Sequence, residues 1–338
     1  MSIASFLVLG ASLASWALLL VTSRVILFAW PVDPWLFTLI QMMAGGIFLI
    51  AIAGRGKGFA DALSDPFTWL YGGLRVATAA FFTAALTYTS TYNAAFLGIV
   101  SVPISLAVLW LILSRQPSRI ELPGHCAVFF GFVFLAGSLD DGWRNPAIVL
   151  MILSELCVVA STLIAEFHPL NQTSDTRQRA RLTGIMLLAS AFVMLILATG
   201  FGFVAQWLPD LRSGIPETLS RMTDPSEVFN PALWISATLV GVVLRGPSLF
   251  LALKAIHHVR TEKYIAAMAG LPFLTFAMET LAVSFGWLAP SHSTQMTVFW
   301  GSVMTFGSLS VLIARSRKET VRHPHRETAP EATETNRH

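Results

Sequence analysis

The sequence predicts an all-α polytopic membrane protein of ten transmembrane helices, arranged as two inverted five-helix repeats. Three observations carry that prediction. The 338 residues are 54% hydrophobic and only 12% charged, whereas a soluble domain carries about 25% charged residues, so charge is too scarce to cover a soluble surface. Apolar runs close to the ~20 residues that cross a bilayer recur along almost the whole chain. Finally, a pattern running from an arginine to a proline in the third and fourth runs returns in the eighth and ninth.

Runs bounded by charge, Pro and Gly clusters place the first five helices near residues 4–29, 35–54, 67–89, 93–114 and 120–138. The second five lie near 145–167, 183–207, 231–256, 263–287 and 294–314. The first run lacks a basic n-region and is too long for a signal-peptide core, so it reads as a retained helix. The repeats are expected over 1–143 and 144–315, followed by a polar tail over 316–338, expected to be disordered and cytoplasmic.

Orientation follows from the loops. With the N-terminus inside, the inner loops and tail hold Arg55, Lys57, Arg115, Arg119, Arg177, Arg179, Arg181, Lys254, Arg260, Lys263, Arg315, Arg317 and Lys318. The outer loops hold only Arg144, Arg212 and Arg221. The positive-inside rule then puts both termini in the cytoplasm, at a cell membrane of the bacterial inner-membrane type. The same bias accounts for the pI near 9.1 without a nucleic-acid partner. Cys126 and Cys157 fall inside predicted helices and define no disulfide framework. His323 and His325 supply too few ligands for a metal, and Asn171-Gln172-Thr173 is a chance sequon in a loop expected inside.

The third and fourth helices read "GGLRVATAAFFTAALTYTSTYNAAFLGIVSVP", and the eighth and ninth "VVLRGPSLFLALKAIHHVRTEKYIAAMAGLP". In each, an intramembrane Arg precedes an "AL" segment, a short turn, an Ala-rich helix start and a mid-helix proline. The offset from Arg75 to Pro103 nearly equals that from Arg245 to Pro272, so the second half reads as a diverged copy of the first. Five helices per copy require the copies to be inverted. Inverted repeats place a substrate site near the midplane, at Gly- or Pro-interrupted helices in corresponding positions. Gly72, Gly73 and Pro103 in one half, and Gly246, Pro247 and Pro272 in the other, are the expected helix breaks near that site.

On these residues the chain resembles the drug/metabolite transporter superfamily, specifically its EamA-type repeat. Trp16 and Arg24, the "PVDPW" turn at Pro31–Trp35, the segment "AALTYTSTYNAAFLGIVSVP" and the junction "LSRQPSRIELPG" carry the likeness over roughly residues 5–315. The resemblance implies the ten-helix fold and a transport function. Where that family often has Arg in the second helix this chain has Gln41, and where it often has Glu after the fourth it has Gln116.

Ionisable residues within the expected spans are few: Arg24, Arg75, Glu155, Arg245 and Glu279, with Glu166 and Lys254 near span ends. A charge at the bilayer centre costs about 2.5–3.5 kcal/mol on insertion scales, so pairing or a wet cavity is required. One reading pairs Arg75 and Arg245 with Glu155 and Glu279 as packing pins. The other brings the two arginines together near the midplane, where their planar forks bind a carboxylate or phosphate. Trp16, Tyr71 and Trp110 are the aromatic residues deep enough to line such a site. Glu279, two turns after Pro272, and Glu155 are candidates to carry a coupling proton.

No His-Glu-x-x-His, nucleotide-binding glycine motif or deep aspartate is present, so neither catalytic residues, metal nor cofactor are expected and an enzyme is disfavoured. The expected function is secondary active export of a small anionic or zwitterionic metabolite of amino-acid or carboxylate type, coupled to protons. The alternative is a translocase for a lipid or lipid-linked phosphate head group. Expected partners are the substrate and the lipid bilayer, with a homodimer left open.

Overall fold

The computed structural model describes residues 3–54, 56, 63–114, 118–167, 175–207, 224–259, 264, 267–289 and 295–322. Described residues in regular structure are all helical. The helices are α1 (Ile3–Ala29), α2 (Pro34–Ala53), α3 (Pro66–Ala85), α4 (Thr91–Gly98), α5 (Ser101–Leu113), α6 (Leu122–Gly137) and α7 (Pro146–Phe167). They continue with α8 (Thr176–Trp207), α9 (Pro231–Val240), α10 (Gly246–Val259), α11 (Leu271–Ser284) and α12 (Gln295–Arg322).

Several starts are written locally as Asp-Pro or Asn-Pro. Proline at the first helical position gives up an amide that has no intrahelical partner anyway, and the preceding side chain accepts from another such amide. Asp33 accepts from Leu36 N at 2.8 Å, Asp65 from Phe67 N at 3.1 Å, Asn145 from Ala147 N at 2.8 Å and Asn230 from Ala232 N at 3.0 Å.

Seven helical stretches are long and apolar enough to cross a membrane, counting 91–112 and 231–255 each as one. The shorter α6 and α11 are apolar as well. The α3 helix has the length, but it carries Arg75 and three threonines, Thr68, Thr78 and Thr83. Large apolar side chains face outward around the bundle, among them Leu111 at 81%, Leu197 at 65% and Phe306 at 68% exposure. That is the lipid-facing surface of a multi-pass membrane protein, since a soluble chain would have to cover it.

Three stretches depart from the sequence expectation. The helix expected over 93–114 is interrupted at Ile99–Val100, just ahead of Pro103. Pro103 has no amide to return to Ile99 O, and Val102 N takes that carbonyl at 3.0 Å instead. The segment over 263–287 turns at Ala269–Gly270, just ahead of Pro272. The eighth stretch is continuous but widens into a π-turn over Gly241–Arg245, closed by Gly246 N donating to Gly241 O just ahead of Pro247. By contrast α3 runs unbroken through Gly72 and Gly73. The expected break there is corrected: a Cβ on Gly72 would meet Ser190 Oγ at 2.4 Å and Met186 O at 3.0 Å, so this glycine serves helix approach.

Two helix ends also differ. The α8 helix begins at Thr176 rather than 183, where Asp175 accepts from Arg177 N at 2.9 Å, and Arg181 reaches across to the end of α2. It donates to Gly54 O at 3.0 Å and Ala53 O at 3.1 Å, satisfying carbonyls that the helix end leaves open. The α12 helix continues to Arg322, so the start of the expected disordered tail is helical. Residues 323–338, the sequon, Gln116 and most of the loop from Pro209 to Asn230 lie outside the described residues.

The helices pack mainly as α2 on α8, α3 on α7, α6 on α12, α1 on α10 and α11, α3 on α8, α2 on α9, and α4 on α11. In the first and third of these pairs the backbones meet at facing glycines. A Cβ on Gly46 would lie 2.7 Å from Gly184 O, and one on Gly124 would lie 2.7 Å from Gly307 O; small residues allow this where no hydrophobic effect drives helices together. Each large core mixes the two halves. One joins Leu97 and Leu135 to Met151 and Met304, and the other joins Leu36 and Phe37 to Leu187 and Leu233. The two halves of the chain therefore build one interleaved body.

Candidate functional site

Arg245 closes the π-turn, and the extra residue in that turn re-aims its side chain into the bundle, where it is 5% exposed. The guanidinium lies along α2. Gln41 Oε1 accepts from Nε at 3.0 Å and from Nη2 at 2.6 Å, while Gln41 Nε2 donates to Ser23 Oγ on α1 at 3.3 Å. One turn from Gln41, Gly45 clears the path: a Cβ there would stand 2.9 Å from Arg245 Cγ. The Trp16 ring lies on the guanidinium as well, 5.6 Å from Cζ to its centroid, within the range of a cation–π contact.

Arg75 is half-buried on α3. Its Cζ stands 5.8 Å from the ring centroid of Tyr71, one turn earlier. Arg75 is near enough for its charge to act on Arg245 and on Tyr264. Tyr264 shares a hydrogen bond of 3.3 Å with Ser12 and neighbours Trp16. Ser15 and Ser248 share a further short hydrogen bond between α1 and α10. Arg245, Trp16, Tyr264 and several hydroxyls of α1 and α10 thus form a polar cluster, with Arg75 of α3 near enough for its charge to act on it.

The structure therefore joins Trp16 to Arg245 and Tyr71 to Arg75, while Tyr71 otherwise packs among Leu182, Met186 and Ile164. It does not bring in Trp110, which is 56% exposed on α5 beside the outward-facing Leu111 and Ile112; its place in the site is corrected to the lipid-facing surface. Gly246 is pressed against Phe48 and Pro247 follows the π-turn, both next to Arg245. Pro103 and Pro272 follow the turns in the fourth and ninth stretches.

The carboxylates are elsewhere. Glu279, 3% exposed, forms an ion pair with Arg24 of α1, and its second oxygen accepts from Thr91 N at the start of α4 at 2.7 Å. This ties α1, α11 and α4 together. The reading in which Glu279 neutralises Arg75 or Arg245 is corrected accordingly. Glu155 is 7% exposed; its Oε1 would stand 3.2 Å from a Cβ on Gly98, at the interruption between α4 and α5, and it interacts with Ser101. Among the described residues it makes no ion pair.

Sequence reasoning marked Gln41 only as a departure from the family pattern, and did not place Gly45, Ser12, Ser23 or Tyr264 at the site. None of these is charged, so none stands out against an apolar run. The signal for Gln41 was its polarity in an otherwise apolar second helix.

A separate cavity of about 350 Å³ opens between α2, α3 and α8. Its wall, which includes Trp35, Leu39, Phe81, Met194 and Phe201, is apolar and contains neither arginine. Among the described residues no group of three or more His, Cys, Asp or Glu side chains is arranged to hold a metal.

No protein-family model matches the chain, and no curated protein does. A solved structure, described only as the crystal structure of a protein, superposes with a TM-score of 0.54 at 17% identity. The match covers 94% of this chain and 100% of the other. At that identity the likeness concerns the fold alone.

Proposed function

We propose that the chain is a secondary active transporter of the EamA type, within the drug/metabolite transporter superfamily, which exports a small anionic or zwitterionic metabolite. The observation that carries this reading is buried Arg245, held by neutral Gln41 and the face of Trp16 with no carboxylate paired to it among the described residues, and with Arg75 near enough for its charge to act on it. A buried and a half-buried cation of like charge are stabilised by an anion, and guanidinium forks match carboxylate or phosphate. Ten spans in two inverted repeats fit the packing. The second span lies on the seventh, the fourth on the ninth and the fifth on the tenth, as helices related by a pseudo-twofold axis do. The fourth and ninth are interrupted at corresponding points ahead of Pro103 and Pro272. On the positive-inside rule both termini are cytoplasmic.

In this reading the coupling proton belongs to Glu155 rather than Glu279. Glu279 is held by Arg24 and the Thr91 amide. Glu155 sits without an ion-pair partner against the interrupted fourth span, where its charge state bears on how the two half-helices pack.

The test is transport in proteoliposomes of a panel of amino acids, carboxylates and phosphorylated metabolites, with and without a proton gradient. Wild type is expected to move at least one anionic substrate, and both Arg75→Gln and Arg245→Gln to lose it at least tenfold while remaining inserted. Glu155→Gln is expected to keep substrate exchange and lose the response to the gradient. Unchanged transport in both arginine variants refutes the site.

The apolar cavity between α2, α3 and α8 supports a second reading, translocation of a lipid or lipid-linked phosphate: acyl chains would occupy that cavity and the arginines the phosphate. Transport of a labelled anionic lipid across the liposome, blocked by Phe81→Trp, would favour this reading over the first.

A further inference from the structure

We infer that Gln41 is a specificity-determining positioning residue: it fixes Arg245 through a neutral acceptor and so leaves the arginine's whole positive charge to the ligand. The inference rests on the anion-binding reading above. It starts from the two hydrogen bonds that Gln41 Oε1 accepts from Arg245, at 3.0 and 2.6 Å. A guanidinium has five N–H donors and no acceptor, so the oxygen of the carboxamide must face it, and the amide nitrogen must face away. Ser23 Oγ receives that nitrogen's hydrogen at 3.3 Å. Ser23 is 2% exposed and Gln41 is fully buried, so neither bond competes with bulk water.

The fork on Oε1 occupies two of Arg245's N–H groups and leaves three for a ligand. A glutamate at this position, nearly identical in size, would accept the same fork as a salt bridge and cancel the charge. The surrounding backbone is shaped for this one contact. Gly45 leaves room for the Arg245 stem, and Gly241, at the start of the π-turn, faces Gln41 O, which a Cβ there would approach to 2.7 Å. With Arg75 also acting on Arg245, the site's demand for negative charge depends on position 41 being an amide.

The experiment uses the full-length protein purified in detergent, with thermal unfolding midpoints measured against rising succinate, glutamate, inorganic phosphate and glycerol 3-phosphate, and choline as a cationic control. Wild type is expected to be stabilised by at least one of the anions. Gln41→Glu is expected to raise the ligand-free midpoint, because the new carboxylate pairs with Arg245, and to weaken the response to that anion at least tenfold. Gln41→Met, which removes the acceptor but keeps the charge, is expected to weaken it only a few-fold. A Gln41→Glu protein that responds like wild type overturns the inference. So does an equal loss in both variants, which would mean that Gln41 positions without setting charge. If Gln41→Glu does not fold, a loss of tenfold or more in Gln41→Met overturns it alone. If no anion stabilises wild type and Arg75→Gln changes nothing, the anion reading itself falls.

Discussion

Arg245 shows how much a single side chain depends on residues that contribute no charge of their own. Its stem occupies space that exists because position 45 is glycine, with 2.9 Å from the missing Cβ to Arg245 Cγ. A methyl group there overpacks a fully buried contact, which costs about 1–3 kcal/mol. Gly45→Ala is therefore expected to lower the unfolding midpoint and to weaken anion stabilisation together. Gly10, whose Cβ would meet nothing within 4 Å, provides the control: Gly10→Ala is expected to leave both unchanged. A Gly45→Ala protein with wild-type anion response would show that Arg245 reaches its ligand by another route.

Individual helices here are held by their ends and interruptions. The Arg24–Glu279 pair and the Thr91 amide join α1, α11 and the N-terminus of α4, where the amides of α4 and the arginine both favour a negative charge. Removing the carboxylate's charge leaves Arg24 at 17% exposure without its counter-ion, a loss of about 3 kcal/mol by the usual cost of breaking a buried pair. Glu279→Gln is expected to destabilise the protein by that order and to speed amide hydrogen exchange at Thr91–Asn93. Faster exchange confined to α12 would place the pair's role elsewhere. Interruption has a related logic: Pro103 and Pro272 each cost a backbone bond, and the structure accommodates both with turns immediately before them.

At the scale of the whole molecule, the outward-facing apolar side chains and the seven long apolar helices make this a multi-pass membrane protein. The proposed topology places the segment around Ser118 inside and that around Asp141 outside. In a background with Cys126→Ser and Cys157→Ser, a cysteine at position 118 is expected to resist a membrane-impermeant maleimide in intact cells, and one at position 141 to react. The reverse pattern would invert the orientation and contradict the arginine bias of the loops.

What could be read from the sequence was set by composition and local chemistry. Scarcity of charge and span-length apolar runs give a membrane helix bundle, Asp-Pro and Asn-Pro pairs mark helix starts, and an arginine in an apolar run marks itself. These depend on residues near one another in the chain. Partner choice does not. That Glu279 meets Arg24, that Arg245 meets Gln41, that Gly72 admits α8 instead of breaking α3, and that Trp110 faces outward follow from which helices the bundle brings side by side. Hydrogen bonds spanning up to 252 residues are decided by packing of the whole molecule, and no local pattern in the sequence encodes them.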